Sequence, residues 1–408
     1  MSVPTLTATG GIYRLAWTDE AIFMQLDHVI ESSKHEVSAE ILIENRLPGT
    51  NPHIHQARLN LTSTAARKTL AGFLNAKNDT LPWTDLLEQA CVLVLRKHRE
   101  GTPAIRLASM TQPEGLEFRL FPFIQEHQAT VLLGDGDTGK SYFAILLSTL
   151  IASNTVHLGL EPEPGAVLYL DYETDEATLW HRLNMVSAGL GIPIPDGILY
   201  RQMSQTIAAD FDQINKLVVD EGISLVVVDS AAPASAEPEK SEFAIAYFNA
   251  LRALKVSTLT VAHVSKEERE NRPFGSIFWR NLPRALFRVN AVHDPGIPSF
   301  QMGIKHTKSN NGRRLKDMAF QVDFTNDDVR FSSANVMDIP ELAKHATLNQ
   351  QISAVLNRGN KTVKELTEIL DGPSEGSIKT TLNRGRDKSF VTLGTNLGNT
   401  QWGNLHRE

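Results

Sequence analysis

Residues 134–141 read Gly-Asp-Gly-Asp-Thr-Gly-Lys-Ser between two apolar runs, Thr130-Val131-Leu132-Leu133 and Tyr142-Phe143-Ala144-Ile145-Leu146-Leu147. No other stretch restricts the fold as much. A short buried strand must end, the backbone must curl through glycines, and a helix must start at once, which is the order of a phosphate-binding loop. The amides of Gly134, Asp135, Gly136, Asp137, Thr138, Gly139, Lys140, Ser141 and Tyr142 can then face a triphosphate, and the helix N-terminus adds partial positive charge at the same place. Lys140 is placed to reach the β- and γ-phosphates and the Ser141 hydroxyl to ligate Mg²⁺. ATP and Mg²⁺ are therefore the expected cofactors.

A loop of this kind needs partner acids. The run Ile223-Ser224-Leu225-Val226-Val227-Val228-Asp229-Ser230 is a buried strand ending in a carboxylate, the usual presentation of a second group that organises Mg²⁺. Between loop and strand lies Ala166-Val167-Leu168-Tyr169-Leu170-Asp171-Tyr172-Glu173. An acid just past that strand end can polarise an attacking water. Asp171, Glu173 and Asp175 all qualify by position, with helix capping the better role for Asp175. Leu259-Thr260-Val261-Ala262-His263 ends a further strand in a polar residue able to sense a γ-phosphate.

The surroundings support an α/β class. Apolar strands at 166–170, 225–228 and 258–262 alternate with helical stretches at 176–190, 211–220 and 242–254, which implies a parallel sheet covered by helices. Further strands are expected at 299–306, 317–322 and 329–331. Ahead of this region, period-two alternation (Val37, Ala39, Ile41 and Ile43; Ala57, Leu59 and Leu61) predicts a small antiparallel sheet, followed by helices over 64–74 and 83–99. His35, His53 and His55 read as surface histidines. The chain thus divides into an N-terminal α+β domain (1–104), an ATPase domain (105–335) and a C-terminal domain (336–408). The last is expected as helices at 348–356, 362–370 and 375–388 and a hairpin at 390–402, the outline of a winged helix, joined through a linker at 332–347. Lys379, Arg384, Arg386 and Lys388 line its third helix, where such a domain contacts duplex DNA.

Bulk properties narrow the class. A formal charge of −7 over 408 residues argues against a chain coated in nucleic acid, so any DNA contact needs a local basic patch. Cys91 is the single cysteine, which rules out an intrachain disulfide and favours a cytoplasmic home. Met1–Gly11 has neither the basic start nor the apolar core of a signal peptide, and no apolar run is long enough to span a membrane.

Six motifs in order carry a resemblance to the RecA-like ATPases, closest to the RepA-type hexameric replicative helicases of plasmids and mobile elements, often grouped as AAA-family ATPases. They are Gly134–Ser141, the Tyr169–Glu173 run, Asp229-Ser230, His263-Val264-Ser265-Lys266, the segment from Gly275-Ser276 to Arg284, and the turn Lys308-Ser309-Asn310-Asn311-Gly312. The resemblance covers roughly residues 120–325. It implies a RecA-like sheet, with Glu173 as general base and His263 as γ-phosphate sensor. It also implies that Arg284, with Lys308, acts on the nucleotide of a neighbouring subunit in a homohexameric ring. The loop 264–274, with Lys266, Arg269 and Arg272, corresponds to the channel loop that touches single-stranded DNA. The expected function is a DNA-dependent ring motor in replication; the alternative is a DNA-binding ATP switch that loads or regulates partners without unwinding. One departure stands out: Asp137 occupies a position where relatives usually carry Gly or Ala, and a carboxylate beside a triphosphate is unhelpful unless it points outward or meets a cation.

Overall fold

The computed structural model describes residues 2–47, 49, 51–101, 104–109, 115–264, 275–294, 296–343, 347–370, 372–396 and 399–405. Two compact units emerge: Met1–Gly115 with Ile207–Ile223 and Ala253–Lys255, and Leu116–Thr206 with Ser224–Arg252 and Val256–Glu408.

The first unit is built on a five-stranded antiparallel meander of Thr5–Thr9, Ile12–Trp17, Ile22–Glu31, Val37–Asn45 and His53–Asn60. Its alternation is physical: Val37, Ala39, Ile41 and Ile43 are all fully buried, while the residues between them are not. Helices Thr64–Lys77 and Trp83–Glu100 cover that face, and their buried Leu70, Leu74, Trp83, Leu86, Leu87 and Val94 complete one core with the strands. The opening strand Thr5–Thr9 escapes sequence reading because four of its five residues are exposed and show no alternation. Helix Phe211–Asp220 belongs to the same unit, where Asn215 donates to the Gly10 carbonyl and Asp220 pairs with Arg14.

The second unit holds a nine-stranded mixed sheet. In spatial order its strands are Ile198–Gln202, Ala166–Asp171, Ile223–Asp229, Ser257–His263, Ala129–Gly134, Ala285–His293, Ser299–Ser309, Met318–Phe324 and Val329–Ser333. The pairings flanking the loop strand Ala129–Gly134 are parallel, and the last three pairings are antiparallel. The arrangement is consistent with the RecA-like sheet the resemblance implies: a parallel centre flanked by helices, extended by an antiparallel flap. The strands are buried on both faces, which is why they read as continuous apolar runs. Helix Lys140–Ser153 is buried almost all round, with Phe143 to Ile151 inside the main core. Helix Glu176–Leu190 starts at Asp175, whose carboxylate accepts from the Thr178 amide at 2.7 Å.

Two strands of this sheet were not expected from sequence. Ile198–Gln202 forms one sheet edge and is only half-buried; Ala285–His293 inserts directly beside the loop strand. The stretch 332–347 is also corrected. Rather than a free linker, it continues the strand to Ser333 and then forms short helices at Val336–Asp338 and Pro340–Ala343. Ile339 and Leu342 are fully buried against Ala319, and Asp338 pairs with Arg358.

At the C-terminal end, helices Leu348–Asn357, Val363–Ile369 and Glu375–Arg384 surround a sheet of Lys361–Thr362, Phe390–Asn396 and Asn399–Asn404. Thr362 and Glu365 form the capping box that their spacing predicts. The third helix ends at Arg384, not at residue 388, because Gly385 lets the Phe390 ring approach to where a Cβ would stand and Asp387 turns through a left-handed φ of 59°. The hairpin strands also run longer than expected, with its tip at 397–398 outside the described residues. Among the described residues no helix is long and apolar enough to cross a membrane.

Candidate active site

The loop strand delivers Gly134 to the sheet's C-terminal edge, and its backbone there lies so close to the flap that a Cβ would stand 2.4 Å from the Val289 carbonyl oxygen. Gly139 has φ 76° and caps helix Lys140–Ser153. The amides of its first turn have no helical acceptor and are left for a ligand. Lys140 is 4% exposed. Its ammonium donates to the Asp135 carbonyl and, at 3.2 Å, to the Thr138 hydroxyl. Burial pulls its pKa down to about 8, against the opposing pull of Asp229, Glu173, Asp135 and Asp137. Asp137 itself is exposed, with φ 59°.

Strand order does the rest of the assembly. Asp229, His263 and Gly134 end adjacent strands, with His263 level with Gly134, and the Asp229 carbonyl accepts from the Tyr172 amide at 2.7 Å. Burial raises the Asp229 pKa, while the Tyr169 hydroxyl, which donates to Oδ2 at 2.7 Å, and the Ser141 hydroxyl hold it down. Asp229 Oδ1 is buried without a hydrogen-bond partner. An orphaned, buried carboxylate oxygen on a group that the Ser141 hydroxyl also influences is an environment a hydrated Mg²⁺ satisfies, so Ser141 and Asp229 fit that ion. Bound there, the ion would neutralise phosphate charge.

The three acids after residue 170 separate cleanly. Asp171 is buried and consumed locally: it accepts from the amides of Glu173 at 2.9 Å and Thr174 at 3.0 Å and from the Thr174 hydroxyl. Asp175 caps its helix. Glu173 is left to face the site, where it accepts from the Ser230 hydroxyl and stands 3.4 Å from His263 Nε2. His263, first, then Ser230 and Lys140 hold its pKa down at about 2 against burial.

Arg284 and Lys308 lie elsewhere. The Arg284 amide donates to the Ala129 carbonyl at 2.9 Å, at the start of the strand whose far end opens the loop. Five residues of strand separate the two ends by about 16 Å, too far for an arginine to reach its own loop. Lys308 donates to the carbonyls of Asn281, at 2.7 Å, and Pro283, and the Asn310 amide donates to the Arg284 carbonyl at 3.0 Å. This turn therefore clamps the segment that carries Arg284. Burial, then Arg284 and Arg280, bring the Lys308 pKa down to about 8.

Lys266, Arg269 and Arg272 lie outside the described residues. In the C-terminal part Lys379, Arg384, Arg386 and Lys388 are exposed, but Arg386 and Lys388 sit in the turn after the helix, and the Arg386 guanidinium lies 5.1 Å from the Trp402 ring centre. In the first unit, Asp27, His28 and Glu40 place ligand-type atoms within 4.8 Å of one another, a grouping no sequence spacing announced. Both imidazole nitrogens are already engaged, by Asp27 at 2.9 Å and Gln213 at 3.5 Å. His35, His53 and His55 instead meet Glu31, Glu44 and the Phe73 ring.

Comparison with known proteins agrees with the loop chemistry. Residues 98–269 match the sequence profile of the AAA domain family. Among solved structures, the chain is similar to a KaiC-like protein from the hyperthermophilic archaeon Pyrococcus horikoshii, at 12% identity and a TM-score of 0.39, over 55% of this chain and 100% of that one. No curated protein matches the chain. Residues 98–269 thus resemble the AAA domain family, and the loop within them has the geometry of a phosphate-binding loop.

Proposed function

We propose that the protein is a DNA-dependent ATPase that works as a ring, in the manner of a replicative helicase. The observation that carries this reading is the split between the two halves of the catalytic set. Lys140, Glu173, Asp229 and His263 converge at one edge of the sheet, whereas Arg284 stands at the opposite end of the loop strand. A cation that cannot serve its own nucleotide is useful only to a neighbour's, so hydrolysis would depend on assembly. In this reading Lys140 and the loop amides hold ATP, Glu173 takes the proton of the attacking water, and His263 reports the γ-phosphate. While His263 holds Glu173 near pKa 2 the carboxylate is a poor base; turning His263 toward a phosphate would release it. Lys308 serves by clamping the Arg284 segment.

The three helices and three-stranded sheet at the C-terminal end support a winged-helix reading, with Lys379, Arg384, Arg386 and Lys388 toward duplex DNA. Lys266, Arg269 and Arg272 complete the proposal as single-strand contacts. The test is native mass with and without a non-hydrolysable ATP analogue, combined with ATP turnover with and without single-stranded DNA. The proposal expects a closed oligomer near six copies and DNA-stimulated turnover. A monomer under all conditions would overturn it.

A further inference from the structure

We propose that His293 is a positioning residue of the phosphate loop, holding the turn at Asp137 so that the loop amides face inward before nucleotide arrives; this rests on the nucleotide-binding reading of Gly134–Ser141. His293 ends the strand Ala285–His293 that runs beside the loop strand. A ring nitrogen of His293 lies 2.8 Å from the Asp137 carbonyl oxygen. The carbonyl can only accept, so that nitrogen carries the proton and donates. The ring has little freedom to leave. It stacks on Phe300 at 4.7 Å and 28°, and Phe300 stacks in turn on Phe324 at 5.9 Å and 26°. The Tyr142 ring meets Phe324 edge-on at 5.1 Å, so this aromatic row runs from His293 back to the first turn of the loop helix.

The bond falls where the loop needs it. Asp137 holds φ 59°, a conformation that costs a side-chain-bearing residue more than glycine. One hydrogen bond is of similar size to that cost, so the imidazole offsets what a glycine would have avoided. Another restraint on the loop, Lys140 donating to the Asp135 carbonyl, must be given up when the ammonium turns to phosphate. The His293 bond uses neither the Lys140 ammonium nor the Asp135 carbonyl, so that exchange does not require breaking it. A loop already shaped in the empty protein binds more tightly because less ordering is left to do. His293 thus explains how this chain carries an aspartate at the tip of its phosphate loop.

The experiment measures binding of N-methylanthraniloyl-ADP by fluorescence anisotropy, and deuterium exchange of amides 135–139 in nucleotide-free protein. His293→Phe keeps the stack and removes the donor; His293→Gln restores a donor. The Phe variant should bind about three- to tenfold more weakly and exchange faster at 135–139, with an unchanged melting midpoint, and the Gln variant should recover part of both. In an Asp137→Gly background, where the turn needs no support, the same His293→Phe change should cost under about twofold. Unchanged exchange and affinity, or an equal loss in both backgrounds, would overturn the proposal. A wild-type protein that binds no nucleotide would instead sink the nucleotide reading, and the exchange data would still decide for or against His293.

Discussion

His263 Nε2 stands 3.4 Å from Glu173 Oε1, across the edge where the strands of Asp229 and Gly134 also end. The two residues are ninety positions apart, and strand order brings them together. Glu173 is the acid left facing the site, and the hydrogen bond with His263 is the main cause of its low pKa. A carboxylate held this far down accepts protons poorly; in the proposed mechanism an arriving phosphate would draw His263 away and release it.

Glu173→Gln should abolish turnover, by at least about a hundredfold, while leaving nucleotide affinity within about threefold, because the amide keeps the shape and cannot accept a proton. Steady-state hydrolysis beside an equilibrium binding titration reads both. Near-normal turnover would remove Glu173 from the mechanism. Asp171→Ala should also impair hydrolysis, indirectly, since it removes the acceptor that fixes the Glu173 and Thr174 amides.

Lys140 predicts a pH dependence of binding. In the empty loop its pKa is about 8, below the ordinary 10.5, so the ammonium is lost as pH rises through 8. Phosphates favour the charged form and raise the pKa again on binding. Nucleotide binding above pH 8 should therefore take up a proton, and affinity should weaken by up to about tenfold per pH unit there while staying flat below pH 7. Calorimetry at pH 8.5 in two buffers of different ionisation heat measures the uptake; Lys140→Met should show none.

Arg284 should act across a subunit boundary. Lys140→Ala and Arg284→Ala proteins should each be inactive alone, and mixing them should restore measurable turnover at interfaces that pair an intact loop with an intact arginine. If mixed rings form and remain inactive, Arg284 does not act in trans. Lys308→Ala should resemble a weaker Arg284→Ala, because it releases the Asn281 and Pro283 carbonyls rather than a phosphate contact.

Replacing Arg384 and Arg386 with Ala in the full chain should lower duplex DNA affinity and flatten its salt dependence by about 2 units of slope. Arg386 also leaves the face of Trp402, so a small loss of stability should accompany the pair. An unchanged salt slope would assign this surface to a protein partner.

What the sequence determined by itself was local. The glycine loop between two apolar runs, the carboxylate ending a buried strand at Asp229, the helix 176–190 behind the Asp175 cap, and the Thr362–Glu365 capping box all follow from neighbours within a few residues, and each is found where the residues placed it. The choice among Asp171, Glu173 and Asp175 was different. Acids two apart past a strand end are equivalent on paper, and only the Asx turn that consumes Asp171 and the arrival of His263 from another strand separate them. Tertiary structure also decided that Ala285–His293 pairs with the loop strand, bringing His293 to Asp137, and that Ile339 and Leu342 of the presumed linker are buried. Such contacts join residues far apart along the chain, and periodicity carries no record of them. They are fixed only when the sheet orders its strands and the side chains at one edge are forced to meet.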